Sequence, residues 1–240
     1  MTRSAAVAAG VFVLVLGSGA AVATYAAANS ASNAQVRGVV LFVGDSNVTL
    51  SAGQIVAATT WQMHFNNGYI PVLASRVGAS IRSEDCLVAK GCHTDNYWQI
   101  RLRALFKRVH PNAIVNNLGI NDTAFLGTPT TRGYAAYSAK IDWFMGLLPK
   151  GVPVFWTNLP CSIEPRSRLV GCRHVNAALT QATKRWPNLV VINWAAAADA
   201  HHEWMTSHGT SPGVHYTITG DSKWTNLVVK TLDAHLRAPS

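Results

Sequence analysis

The chain has 240 residues, with Lys+Arg 20 against Asp+Glu 11 and a formal net charge of +9. Apolar residues make up 49 % and charged residues only 13 %, which excludes a disordered chain. Only 4 Cys in 240 residues excludes a small disulfide-stapled scaffold, and the length suffices for one domain with a substantial core.

In chain order, Arg3 comes first, then residues 5–28 without a charged side chain, including the apolar run Val11–Leu16 and the small residues Gly17–Ala23. A basic start, an apolar run and small-residue cleavage sites predict an export signal or, if uncleaved, a membrane anchor over residues 1–28. Residues 29–36 then form a polar linker. Everything from residue 37 to 240 reads as one outward-facing domain, secreted or held at the cell envelope.

Short apolar runs bounded by turn residues follow: Gly38–Val43, Tyr69–Ala74, Ala113–Leu118, Val152–Thr157 and Leu189–Trp194. Each suits a strand buried on both faces. Tyr137, Ile141, Phe144, Met145 and Leu148 fall on one helical face, which Pro149 and Gly151 terminate. Trp224, Leu227, Val228, Thr231 and Leu232 mark another helix near the carboxyl end. Strands alternating with helices predict an α/β fold with a parallel sheet, in which ligands sit beyond the carboxyl ends of strands.

The four cysteines are expected to pair as Cys86–Cys92 and Cys161–Cys172, since each pairing closes a short loop in an exported chain. No C-x-x-C spacing is present, so a zinc site is not expected. His201, His202, Glu203 and His208 lack the H-E-x-x-H spacing, so no metal is expected there either. The basic residues are spread along the chain in modest clusters, Arg101 with Arg103, Lys107-Arg108, and Arg166 with Arg168. They suit a solvated surface or attraction to an anionic envelope; no motif points to nucleic acid.

The residues just past the strands carry the chemistry. Gly44-Asp45-Ser46-Asn47 follows the first, Ser75-Arg76-Val77-Gly78-Ala79 the second, and Gly119-Ile120-Asn121-Asp122 the third. Pro212-Gly213-Val214-His215-Tyr216-Thr217 precedes the last helix. A serine at a strand end with a histidine base suits nucleophilic catalysis, and an Asn amide suits a developing oxyanion. Asp45 and Asp122 read as local hydrogen-bond organisers. Gly209-Thr210-Ser211-Pro212-Gly213 matches G-x-S-x-G, but no buried strand precedes it, so Ser211 is not the expected nucleophile. Trp194, Trp204 and Tyr216 are candidates to line an acyl or sugar pocket, although core packing fits Trp194 equally well.

In this order, Gly44-Asp45-Ser46, Gly78, Gly119-x-Asn121-Asp122 and His215-x-Thr217-x-x-Gly220 resemble the SGNH (GDSL) hydrolase family over nearly all of the chain past residue 37. The resemblance implies a three-layer α/β/α, flavodoxin-like fold. It implies Ser46 as nucleophile and His215 as base, with the N–H groups of Ser46 and Gly78 and the Asn121 amide as oxyanion hole, and no metal or organic cofactor. Family members usually carry Asp three residues before the histidine; here that residue is Pro212. A proline carbonyl accepts a hydrogen bond but stabilises imidazolium less than a carboxylate does, and Asp199, Glu203 and Asp221 are alternative supports. The expected activity is therefore a serine esterase or deacylase acting on a small ester or an acylated glycan or lipid. An acyltransferase to an envelope glycan and a non-catalytic glycan- or lipid-binding module are the alternatives.

Overall fold

The structure, a computed structural model, describes residues 11–12, 23–24, 26–27, 38–51, 55, 69–82, 97–124, 131–161, 169–206 and 213–236. Five strands form the central sheet: β1 (Gly38–Gly44), β2 (Tyr69–Ser75), β3 (Ala113–Asn116), β4 (Val154–Thr157) and β5 (Leu189–Ile192). They are mutually parallel and lie in the order β2-β1-β3-β4-β5. Val40 opposes Pro71 on one side and Ala113 on the other, so β1 sits inside the sheet. The residue pair Ala23–Thr24 adds an antiparallel edge to β2, and Val11–Phe12 pairs with Ala26–Ala27.

Strand pleating sends alternate side chains to opposite faces. Leu41 and Val43 of β1, Ile114 of β3, and Val154 and Trp156 of β4 face one cluster. Val40, Phe42, Ala113, Val115 and Phe155 face the other. Helices α2 (Tyr97–Phe106), α3 (Thr131–Leu147) and α4 (Leu169–Ala182) cover the first face through Trp98, Tyr137, Phe144, Val175 and Leu179. On the second lie α1 (Ser46–Leu50), α5 (Trp194–Ala198) and α6 (Ile218–Leu236), which bury Val48, Trp194, Trp224 and Val228. The result is the expected three-layer α/β/α architecture. Burying one such side chain contributes roughly 1.5–3 kcal/mol, so the two faces together dominate stability. No helix among the described residues is long and apolar enough to cross a membrane.

The first two strands each run one residue past the apolar runs, to Gly44 and Ser75, and the other three are shorter than theirs. The third run ends early because the Asn116 Oδ1 accepts from the Leu118 amide at 2.9 Å, turning the chain out of the sheet. The fourth begins at Val154, after Pro153, which has no N–H to donate. The fifth ends at Ile192 because Asn193 caps α5, whose first residue is Trp194. Cys161 and Cys172 form the expected disulfide, joining the segment after β4 to α4; Cys86 and Cys92 lie outside the described residues.

The strand order reverses at β1, which has β2 on one side and β3 on the other. In open parallel sheets the crevice at the carboxyl ends of such strands receives the ligand. Ser46 follows β1 there, and Asn121 follows β3.

Candidate active site

Gly44 ends β1. A Cβ there would lie 2.2 Å from Val48 Cγ2, so glycine lets α1 turn back tightly against its own strand. Asp45 caps α1, its Oδ1 accepting the Asn47 amide at 2.9 Å. Ser46 opens the helix and is almost fully buried. Its Oγ lies 3.0 Å from the Nε2 of His215.

His215 is held by its own backbone and that of its neighbours. Its carbonyl accepts from the Thr206 amide at 2.8 Å and from the Thr206 hydroxyl at 3.1 Å. The adjacent Tyr216 pairs with Met205 as an antiparallel bridge, and the Thr217 amide donates to the Trp204 carbonyl at 2.9 Å. The Val214 carbonyl accepts from the Asn47 side chain at 3.0 Å. The Tyr216 hydroxyl meets Asn117, which also accepts from the Thr157 hydroxyl. Neither Asn47 nor Asn117 has a role assigned from the sequence; the hint of the second is a pair of Asn residues at the end of an otherwise apolar run.

The segments that carry the oxyanion candidates touch one another. Arg76 donates its amide to the Gly44 carbonyl at 3.0 Å, and Ala79 donates back to the Arg76 carbonyl at 3.1 Å. Gly78 takes the third position of this turn with φ +73°, the left-handed value that a type II turn requires there. Asn121 is buried, and its Nδ2 donates to the Ala79 carbonyl at 2.9 Å and approaches Asp45 Oδ2 at 3.4 Å. Asp122 accepts from the Ile81 amide at 3.1 Å, with the Lys140 ammonium 3.4 Å from its other oxygen.

Two buried carboxyls therefore lie under the site. Burial pushes the Asp45 carboxyl up to about 7, against the stabilising Asn47 amide. Burial pushes Asp122 up to about 8, opposed by the Ile81 amide and reinforced by the charge of Asp45. Both act as hydrogen-bond organisers, as their sequence positions suggest.

The three alternative acids each have another partner. Asp199 accepts from the Cys161 amide at 3.0 Å, Asp221 accepts from the Ser51 hydroxyl, and Glu203 pairs with the exposed His201 at 2.9 Å. Pro212, with Gly209, Ser211 and His208, lies outside the described residues. Among the described residues, no group of His, Cys, Asp and Glu is arranged to hold a metal. Trp194 is fully buried and stacks on Trp204, with Tyr216 edge-on to it. Trp194 thus packs in the core, while Trp204 and Tyr216 stay partly exposed beside His215.

No family model matches the chain, and no curated protein matches it. Solved structures do. The C-terminal catalytic domain of the Streptococcus pneumoniae peptidoglycan O-acetyltransferase A is 14 % identical, with a TM-score of 0.58, over 85 % of this chain and 98 % of that one. A lipase/acylhydrolase from Enterococcus faecalis is 14 % identical, with a TM-score of 0.59, over 82 % and 96 %. Axe2, an acetyl-xylooligosaccharide esterase from Geobacillus stearothermophilus, is 13 % identical, with a TM-score of 0.60, over 81 % and 93 %. The fold is that of the SGNH hydrolases. On the SGNH frame the blocks around Ser46, Gly78, Asn121 and His215 come from the ends of β1, β2 and β3 and from the segment before α6, and they meet at one end of the sheet.

Proposed function

We propose that the chain is an exported serine esterase or deacylase that hydrolyses carboxylic esters, O-acetyl groups among them, through an acyl-enzyme on Ser46. The observation that carries this reading is the 3.0 Å contact between Ser46 Oγ and His215 Nε2 at the carboxyl end of β1. Ser46 Oγ attacks the ester carbonyl carbon as His215 takes the hydroxyl proton. The carbonyl oxygen becomes an oxyanion, for which the Ser46 and Gly78 amides and the Asn121 side chain are the donors. The intermediate collapses, the ester C–O bond breaks, and His215 returns the proton to the departing alcohol. Water, deprotonated by His215, then releases the carboxylic acid and restores Ser46. Every step uses groups of this chain, the ester and one water molecule.

In this reading residues 1–28 export or anchor the chain, residues 29–36 link, and the domain from residue 37 meets a small ester or an acylated glycan or lipid outside the cell. A second reading replaces water with a glycan hydroxyl as the acyl acceptor. The similarity to an O-acetyltransferase catalytic domain favours it. Product analysis separates the two. With an aryl acetate and water alone, an esterase releases one acetate per phenol. With an oligosaccharide acceptor present, a transferase places acetyl on the sugar and leaves acetate behind the phenol. An absence of phenol release under both conditions contradicts both enzyme readings.

A further inference from the structure

We infer that Asn47 is the positioning residue for His215, tying the serine turn directly to the backbone that carries the imidazole. This inference rests on the Ser46–His215 reading and extends it to a residue with no role assigned from the sequence. Asn47 occupies the first turn of α1 and is 3 % exposed. Its backbone amide is fixed by Asp45 Oδ1 at 2.9 Å, and its side-chain Nδ2 donates to the Val214 carbonyl at 3.0 Å, across 167 residues of sequence.

The partner of that bond is the peptide immediately before His215. The next peptide is fixed from the other side, where Thr206 donates twice to the His215 carbonyl. Two consecutive carbonyls, one on each side of the His215 Cα, are thus held by two different elements. With the backbone fixed at both points, the imidazole keeps its two side-chain torsions, and its Nε2 meets Ser46 Oγ at 3.0 Å.

Three observations single out the amide. First, the chain has Pro212 where an acid ordinarily steadies the histidine, so placement of the ring depends more heavily on its backbone. Second, among the described residues Asn47 Oδ1 is buried with no hydrogen-bond partner. A buried acceptor without a donor is costly, and an apolar side chain of similar size avoids that cost. The feature that offsets it is the donor half of the same amide. Third, the GDSL tetrapeptide, which gives one of the similar structures its description, has leucine where this chain has Asn47, so the usual residue has no side-chain donor.

The test compares wild type with Asn47→Leu and Asn47→Asp. Leucine removes the amide with the same number of side-chain atoms; aspartate keeps the shape and cannot donate once ionised, so that variant is assayed at alkaline pH. We expect kcat on an aryl acetate to fall about 10- to 100-fold in both, as for a displaced catalytic group, with KM within about twofold. The thermal midpoint of the leucine variant stays within a few degrees of wild type, because losing the unpartnered oxygen offsets the bond that the Val214 carbonyl loses. In ¹⁵N-histidine-labelled protein the His215 ring signals move toward those of a free imidazole. Wild-type kcat together with unmoved ring signals in Asn47→Leu overturns the inference. A wild type without turnover defeats the esterase reading instead, and the ring signals still decide the clamp: moved signals uphold it, unmoved signals overturn it.

Discussion

The side-chain nitrogen of Asn121 donates to the carbonyl of Ala79 at 2.9 Å and stands 3.4 Å from Asp45 Oδ2, so the segments that follow β1, β2 and β3 meet at one amide. An amide nitrogen has two hydrogens. The short bond to Ala79 holds the group in place, and the long contact to Asp45 is the weaker of the two, the one that the oxyanion of the proposed reaction would replace.

Asn121→Ala therefore removes a candidate oxyanion donor and leaves the Ala79 carbonyl without this partner. Turnover is expected to fall by about 10²–10³, and stability by about 1–3 kcal/mol. Steady-state kinetics beside urea unfolding separate the two effects. Asn121→Asp keeps the shape but adds a carboxyl beside Asp45 and Asp122, and it is expected to destabilise further.

The buried carboxyls set the sign of the pH dependence. Asp45 and Asp122 titrate at about 7 and about 8 in the folded chain, against 3.8 when unperturbed. Between those limits the native state binds more protons than the unfolded state. Stability contributed by these groups is then greatest near pH 4 and declines as pH rises toward 8. Unfolding midpoints in urea from pH 5 to 9 test this. Asp122→Asn flattens the decline, and Lys140→Met steepens it by removing the ammonium beside the ionised form.

Gly220 in the first turn of α6 lies against the backbone of Trp204. A Cβ at Gly220 would come within 1.9 Å of the Trp204 carbonyl oxygen. That carbonyl also accepts from Thr217, two residues past His215. Gly220→Ala is expected to destabilise by about 1–3 kcal/mol and to lower kcat through the displaced His215 segment. Calorimetry and kinetics on the same preparation check both.

The Cys161–Cys172 bridge closes a short loop between β4 and α4. Replacing both cysteines with serine is expected to cost about 2–3 kcal/mol, which for a chain of this size lowers the thermal midpoint by roughly 4–12 °C. An unchanged midpoint under reducing and oxidising conditions contradicts this assignment.

The sheet was legible because each strand is an uninterrupted apolar run, as β1 and β4 require when helices cover both faces. Tyr137, Ile141 and Phe144 likewise made α3 visible through regular spacing. Helices α2 and α4 were less visible. In α2, Trp98, Leu102 and Leu105 are interrupted by Arg101 and Arg103, and in α4 much of the buried face is small: Gly171, Cys172, Ala178 and Ala182. The site residues stood at strand ends, where glycine and polar side chains break the apolar pattern. Asn47, Asn117 and Thr206 were not legible as supports, because their partners lie 167, 99 and 9 residues away and no local pattern encodes such a pairing.

The central claim is that His215 activates Ser46. Intact-mass analysis of the chain after fluorophosphonate treatment tests it most directly, beside Ser46→Ala, His215→Ala and Ser211→Ala. A single adduct in wild type and Ser211→Ala, absent in Ser46→Ala and slowed in His215→Ala, is the predicted result. Folded wild type that takes no adduct contradicts it and favours a glycan- or lipid-binding module; an adduct that survives Ser46→Ala contradicts it by placing the reactive nucleophile elsewhere.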